Sequence, residues 1–200
     1  HLTAGPDSIQ SSLWSGPGGP KPLPPQRVRT AEITTRDIHR GDKPHFFIKE
    51  IGESVTSVEK TLRGKFEIAG GKVLFHLGSE VLSEDFLEAL RTGKIRQVDC
   101  IGQGTAAVAA EGIAHCLETA LRAARPPLRI KAMKATELSG HHLREDMSDT
   151  LVVAVSQSGT TTDTNRTVDM ARERGAHIIC IVNRRNSDLV YKSHSVLYTS

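Results

Sequence analysis

The sequence predicts an α/β protein: a parallel sheet between two layers of helices, preceded by an amphipathic helix and a Pro/Gly-rich N-terminal arm. Two observations carry this expectation. From Gln97 onward, short apolar runs ("VDCI", "LRIKAM", "TLVVAV" and "HIICIV") are separated by stretches of helical character. Continuous apolar runs mark strands buried on both faces, and strands separated by helices pair in parallel. In addition, glycines punctuate two of the strand-to-helix turns, at Gly102, Gly104 and Gly159. The pattern is that of a three-layer, doubly wound sheet of the flavodoxin/Rossmann type over residues 97–200.

Taken in order, residues 1–32 contain "SGPGGPKPLPPQ", carry no apolar period, and read as a linker or an extended arm. The first residue is His1, which leads us to expect a piece of a longer chain. Residues 33–96 form a helical lead-in with a strand and a further helix. Between Asp42 and Lys65, Phe47, Ile51, Val55, Val58 and Leu62 recur at helical spacing, and Gly64 is a natural stop. "KVLFHL" reads as a strand, either of an edge hairpin or of a crossover unit. Ser83 is a helix cap ahead of the stripe Phe86, Leu87 and Leu90, which ends at Gly93. The repeating unit follows: the strand "VDCI", a helix from Thr105 to Arg122, "LRIKAM" after Pro126 and Pro127, and a short helix near Thr136 to Leu143. "TLVVAV", a helix from Thr162 to Arg174 stopped by Gly175, "HIICIV", a short helix near Ser187 to Lys192 and the strand "SVLYT" complete it.

Two hundred residues at 38% hydrophobic content suffice for one principal core. A net charge of +3, with one tryptophan, two tyrosines and five phenylalanines, argues against nucleic-acid binding. Cys100, Cys116 and Cys180 are odd in number and sit among apolar residues, which suits reduced core thiols and a cytoplasmic protein. No apolar run reaches the roughly 20 residues of a membrane span, and no signal-peptide pattern opens the chain. The adjacent His141 and His142 cannot share one helix face as metal ligands, and no metal or cofactor is expected. Lys49 and Glu50 on the lead-in helix read as an exposed pair.

The chemistry concentrates in two loops that leave carboxyl ends of strands, where open α/β sheets bind ligands. In "SQSGTTTDT" the hydroxyls of Ser156, Ser158 and Thr161 surround Gly159, whose freedom permits a tight turn. Amides at a helix start carry partial positive charge, and small hydroxyls add donors without blocking approach, so the loop reads as a phosphate cradle, with Gln157 reaching a neighbouring sugar hydroxyl. The plainer reading is that serines and threonines here are ordinary caps and turn formers. In "GQGTAA", Gly102, Gly104 and Ala107 satisfy G-x-G-x-x-G/A, which keeps dinucleotide binding open as an alternative. That fingerprint wants an acidic residue ending the second strand, and "LRIKAMK" ends in lysine.

The cradle "SQSGTTTDT", after "LVVAV" and before a helix ended by "RERGA", resembles the sugar isomerase (SIS) family. The lead-in "HFFIKEIGESVTSVEKTLRGKF", the junction "MKATELSG" and "NSDLVYKSHSVLYTS" are similar to the isomerase half of the glutamine–fructose-6-phosphate aminotransferases, a resemblance covering roughly residues 33–200. It implies an enzyme that adds ammonia, released from glutamine by a separate glutaminase domain, to fructose 6-phosphate and isomerises the product to glucosamine 6-phosphate. It further implies a homodimer with shared sites. It places substrate contacts at Ser156, Gln157, Ser158, Gly159 and Thr161 and at Gln103, Gly104, Thr105 and Ala106. The resemblance puts the catalytic lysine, glutamate and histidine beyond residue 200, so this stretch is expected to bind without turnover. The first loop departs from the family's usual C-G-T-S: Gln103 stands for the cysteine and Ala106 for a hydroxyl. A phosphosugar-binding module without catalysis is the alternative function.

Overall fold

A computed structural model describes residues 2–4, 9–14, 19–22 and 39–199. The rest of the N-terminal arm, and the stretch 23–38 in which the family resemblance begins, lie outside the described residues. Residues 1–38 and 39–200 form two units. In the first, β1 (Leu2–Ala4), β2 (Ile9–Trp14) and β3 (Pro20–Pro22) pair as a three-stranded antiparallel sheet.

The second unit opens with α1 (Phe46–Leu62), whose apolar stripe of Phe47, Ile51, Val55, Val58 and Leu62 is exposed. An antiparallel hairpin follows, β4 (Phe66–Ala69) and β5 (Lys72–Phe75), with Phe66 opposite Phe75 and Ile68 opposite Val73. Of the two arrangements the sequence left open for "KVLFHL", the hairpin is the one formed. The cause is local: Gly70 and Gly71 both have positive φ, 57° and 73°, which a two-residue hairpin turn matching strand twist requires. Lys65 Nζ ties this region to the main sheet by donating to the Tyr198 carbonyl at 2.7 Å. Helix α2 (Glu84–Arg91) begins as expected, with the Phe86 amide donating to Ser83 Oγ at 3.3 Å.

The main sheet comprises β6 (Gln97–Gly102), β7 (Arg129–Lys134), β8 (Thr150–Ser156), β9 (His177–Val182) and β10 (Ser195–Tyr198). Its spatial order is β10-β9-β8-β6-β7, and every pair is parallel. Between the strands run α3 (Thr105–Leu121), the single turn α4 (Ala135–Glu137) continuing into a π-helical turn over Leu138–His142, α5 (Thr162–Glu173) and α6 (Asp188–Lys192). Every residue of β8 is buried, and its side chains divide between two cores. Leu151, Val153 and Val155 pack with Phe86 of α2 and Ala110 and Ala114 of α3, whereas Val152 and Ala154 pack with Leu138, with Val168 and Ala171 of α5, and with Leu189 of α6. This is the three-layer α/β arrangement predicted from the uninterrupted apolar runs.

Candidate functional site

The chain passes from β6 outward to β7, then returns across β6 to β8 and proceeds through β9 to β10. At the β6/β8 boundary the strand order reverses, so the following helices leave toward opposite faces: α3 into the core with α2, α5 into the other. The carboxyl ends of strands flanking such a reversal form the crevice where doubly wound sheets take ligands. The two loops singled out from the sequence, 103–104 after β6 and 157–161 after β8, are the loops at this crevice.

The first loop depends on Gly102. A Cβ there would lie 2.5 Å from the backbone carbon and oxygen of Ala106, so only glycine lets the first turn of α3 fold back over the end of β6. Gly104 caps α3 with φ 60°, and its α-carbon faces open space. Thr105 is exposed, and Gln103 and Ala106 are half-buried. Ala106 and Ala107 amides donate to the carbonyls of Gln103 and Gly104, at 3.2 and 3.1 Å, tightening the entry to the helix.

The second loop is built by its own hydroxyls. Ser156, buried at the end of β8, accepts the Gly159 amide at its Oγ at 3.0 Å. Ser158 Oγ accepts from the amide of Thr160 at 3.3 Å and from its hydroxyl at 3.1 Å. Two of the cradle serines therefore do form turns, as the plainer reading holds, yet each hydroxyl keeps a proton that these bonds do not use. Asn165 fixes the loop from behind: its Nδ2 donates to the carbonyls of Gly159 and Thr161, both at 3.0 Å. Gln157 is exposed and Thr161, the N-cap of α5, is half-buried.

Two features give the cradle unmet hydrogen-bonding capacity. Within α5 the first bond runs from the Asn165 amide to the Thr161 carbonyl, 3.0 Å. Among the described residues none accepts from the amides of Thr162, Asp163 or Thr164, the donors that a helix start leaves open. Four buried side-chain atoms of the described chain have no partner, and three belong to this region: Gln103 Oε1, Thr164 Oγ1 and Asn165 Oδ1. Such atoms cost stability unless water or a ligand meets them. Beneath the first loop, Asp99 is fully buried in β6. Burial raises its carboxyl pKa, against the opposing effects of the Gln97 amide and of Lys131, Arg144 and His142.

The sequence reading missed a third loop at the same edge, residues 183–187 between β9 and α6. Arg184 donates its amide to the Gln157 carbonyl at 3.2 Å, and Leu189 donates to the Gly159 carbonyl at 3.0 Å. Ser187 lies directly against Gly159. The signal was a further strand-to-helix junction, "NRRNSD", on the carboxyl side of the sheet. His141 and His142 are exposed, and no group of three or more possible metal ligands gathers among the described residues.

Comparison with known proteins agrees with this fold. The model of the SIS domain matches residues 94–200, more than half of the chain. The chain belongs to the SIS domain family. Among curated relatives of this SIS chain, the glutamine–fructose-6-phosphate aminotransferase of Symbiobacterium thermophilum is 34% identical over 181 residues, 90% of this chain and 27% of that protein. The enzyme of the same name from Pyrobaculum aerophilum is 33% identical over 85% of this chain and 24% of its own length. The SIS chain thus spans about a quarter of the length of these relatives. A solved structure, the C-terminal domain of glucosamine-fructose-6-phosphate aminotransferase from Francisella tularensis, superposes with TM-score 0.61 at 22% identity over 81% of this chain and 41% of its own. Glucosamine-6-phosphate deaminase from Thermotoga maritima superposes with TM-score 0.55 at 21% identity, over 78% of this chain and 40% of its own. Both share the SIS fold. Among the described residues no helix is long and apolar enough to cross a membrane.

Proposed function

We propose that this chain is the phosphosugar-binding part of a glucosamine-6-phosphate synthase-like aminotransferase, and that it binds fructose 6-phosphate at the β6/β8 crevice. The observation that carries the reading is the set of open amides at Thr162, Asp163 and Thr164 at the strand reversal, directly after the hydroxyl-bearing loop of Ser156, Ser158 and Thr161. A phosphate dianion needs several converging donors that do not themselves carry negative charge, and this loop supplies them. Ser158 and Thr161 hold the phosphate, Gln157 and the 103–105 loop face the sugar, and Ser156 and Gly159 shape the turn. The aminotransferase names of the relatives, at about a third identity over most of this chain, support this choice among hexose phosphates.

In this reading residues 97–200 are the binding domain, 33–96 its lead-in and 1–32 an arm. The active assembly is a cytosolic homodimer fed with ammonia by a glutaminase domain, and the proton-moving groups are supplied outside the present stretch. A second reading, a phosphosugar sensor without catalysis, is favoured by one observation: Ala106 offers no hydroxyl in the first turn of α3.

Calorimetric titration with fructose 6-phosphate, glucosamine 6-phosphate and NADH tests the proposal. Binding of a hexose phosphate that Ser158→Ala weakens, with the thermal midpoint preserved, is the expected result. Binding of NADH with silence toward sugar phosphates would overturn it in favour of the dinucleotide alternative. Ammonia transfer in the full-length protein separates the enzyme from the sensor.

A further inference from the structure

The cradle residues 103–105 and 156–161 contain no cation, and Asp163, exposed in the first turn of α5, adds a negative charge beside the same amides. A phosphate monoester carries about −1.5 to −2 charge at neutral pH. Partial charges at one helix start offset only part of this.

We infer that Arg184 is the charge partner of the bound phosphate and a specificity-determining residue of this site, selecting phosphorylated over neutral sugars. The inference rests on the phosphosugar reading above and deepens it. Its basis is how the backbone of Arg184 is held. The amide donates to the Gln157 carbonyl in the middle of the cradle loop, at 3.2 Å. The Arg184 carbonyl in turn accepts from Ser187 Oγ at 3.0 Å, and Ser187 is packed against Gly159. The residue is thus clamped to the cradle on both sides of its α-carbon, while its side chain is exposed.

Among the described residues none pairs with its guanidinium. The neighbouring Arg185 is engaged differently, its guanidinium 4.4 Å from the centre of the Tyr198 ring. A guanidinium on three methylenes, rooted beside Gln157, has the reach to meet a phosphate held over the amides of α5. Its planar donor fork suits phosphate oxygens.

The test is calorimetric titration of the chain with fructose 6-phosphate and with unphosphorylated fructose, at several salt concentrations, in the unaltered protein, Arg184→Gln, Arg184→Lys and Arg122→Gln. Arg122, exposed at the end of α3, makes the same change in net charge away from the cradle. Loss of a charge-assisted contact is expected to weaken fructose 6-phosphate binding about tenfold or more in Arg184→Gln and to flatten its salt dependence. Arg184→Lys should recover part of the affinity, Arg122→Gln should stay within about twofold of the unaltered chain, and thermal midpoints should be unchanged. Equal affinity and salt dependence in Arg184→Gln and the unaltered chain would overturn the role of Arg184 while leaving the cradle standing. Failure of the unaltered chain to bind any sugar phosphate would overturn the cradle itself and Arg184 with it.

Discussion

Ser187 occupies the space that a side chain at Gly159 would need. A Cβ on Gly159 would fall 2.0 Å from Ser187 Oγ, 2.6 Å from Ser187 Cβ and 3.0 Å from Val182 Cγ2. This contact joins the loop after β8 to the loop after β9, and together with the Gly159 carbonyl accepting from the Leu189 amide it makes the two loops one structural piece.

Gly159→Ala is therefore expected to be costly for two separable reasons. The backbone φ of 65° is unfavourable for an L side chain by about 1–2 kcal/mol, and forcing a methyl into filled space adds about 1–3 kcal/mol. Denaturant titration of the single variant and of Gly159→Ala with Ser187→Gly separates them. The double variant should recover the packing part and keep the backbone part. If it recovers nothing, Ser187 is not the obstacle.

The strand and helix pattern was legible because β8 and β9 carry the continuous apolar runs "LVVAV" and "IICIV", which mark strands covered on both faces. Ser83 as a cap and Gly93 as a stop were legible because cap chemistry acts over three or four residues. The hairpin is not readable from "KVLFHL" alone, which does not say whether its partner is near or far; the neighbouring Gly70 and Gly71 decide it. The cradle loops were visible as motifs, but Arg184 and Asn165 were not. Their placement rests on contacts across about 30 residues of chain, Arg184 with Gln157 and Leu189 with Gly159, or on a side chain turned back against the loop, and neither leaves a period in the sequence.

Away from the crevice, a stack of three rings predicts a pH dependence of stability. His177, at the start of β9, lies between Phe86, 4.5 Å away, and His194, 4.6 Å away between ring centres. Burial, together with the neighbouring His194, pushes the His177 pKa down to about 4, and its Nε2 has no partner. His194, which accepts the Ile178 amide at Nδ1, is also shifted down, by burial first and by Arg172 second. A folded-state value below the ordinary 6.5 means that the unfolded chain binds the proton more readily. Stability from neutral His177 is therefore fully present above about pH 6.5 and is lost as pH falls toward about 4. Discounted for a ring only half withdrawn from water, the loss is about 1–2 kcal/mol. Thermal midpoints from pH 7.5 to 4.5 should fall less steeply in His177→Phe, which keeps the stack and removes the proton. Parallel curves for the two proteins would assign the acid sensitivity elsewhere.

Ala106 offers a test in the direction of gain. It stands in the first turn of α3, half-buried beside Gly102, where a hydroxyl would lie at the mouth of the same crevice. A neutral hydrogen bond to a bound sugar is worth about 0.5–1.5 kcal/mol, so Ala106→Ser should tighten fructose 6-phosphate binding roughly two- to tenfold with little change in stability. The competing outcome follows from the packing of Ala106 against the core around Ala110. If the new hydroxyl turns inward it is left without a partner, and stability drops while affinity stays as it was. Calorimetry read together with the thermal midpoint separates the two. A tighter site would mean that this chain kept the crevice and relaxed one contact, whereas an unchanged affinity with a lower midpoint would mean that position 106 serves the helix packing and has no part in sugar recognition.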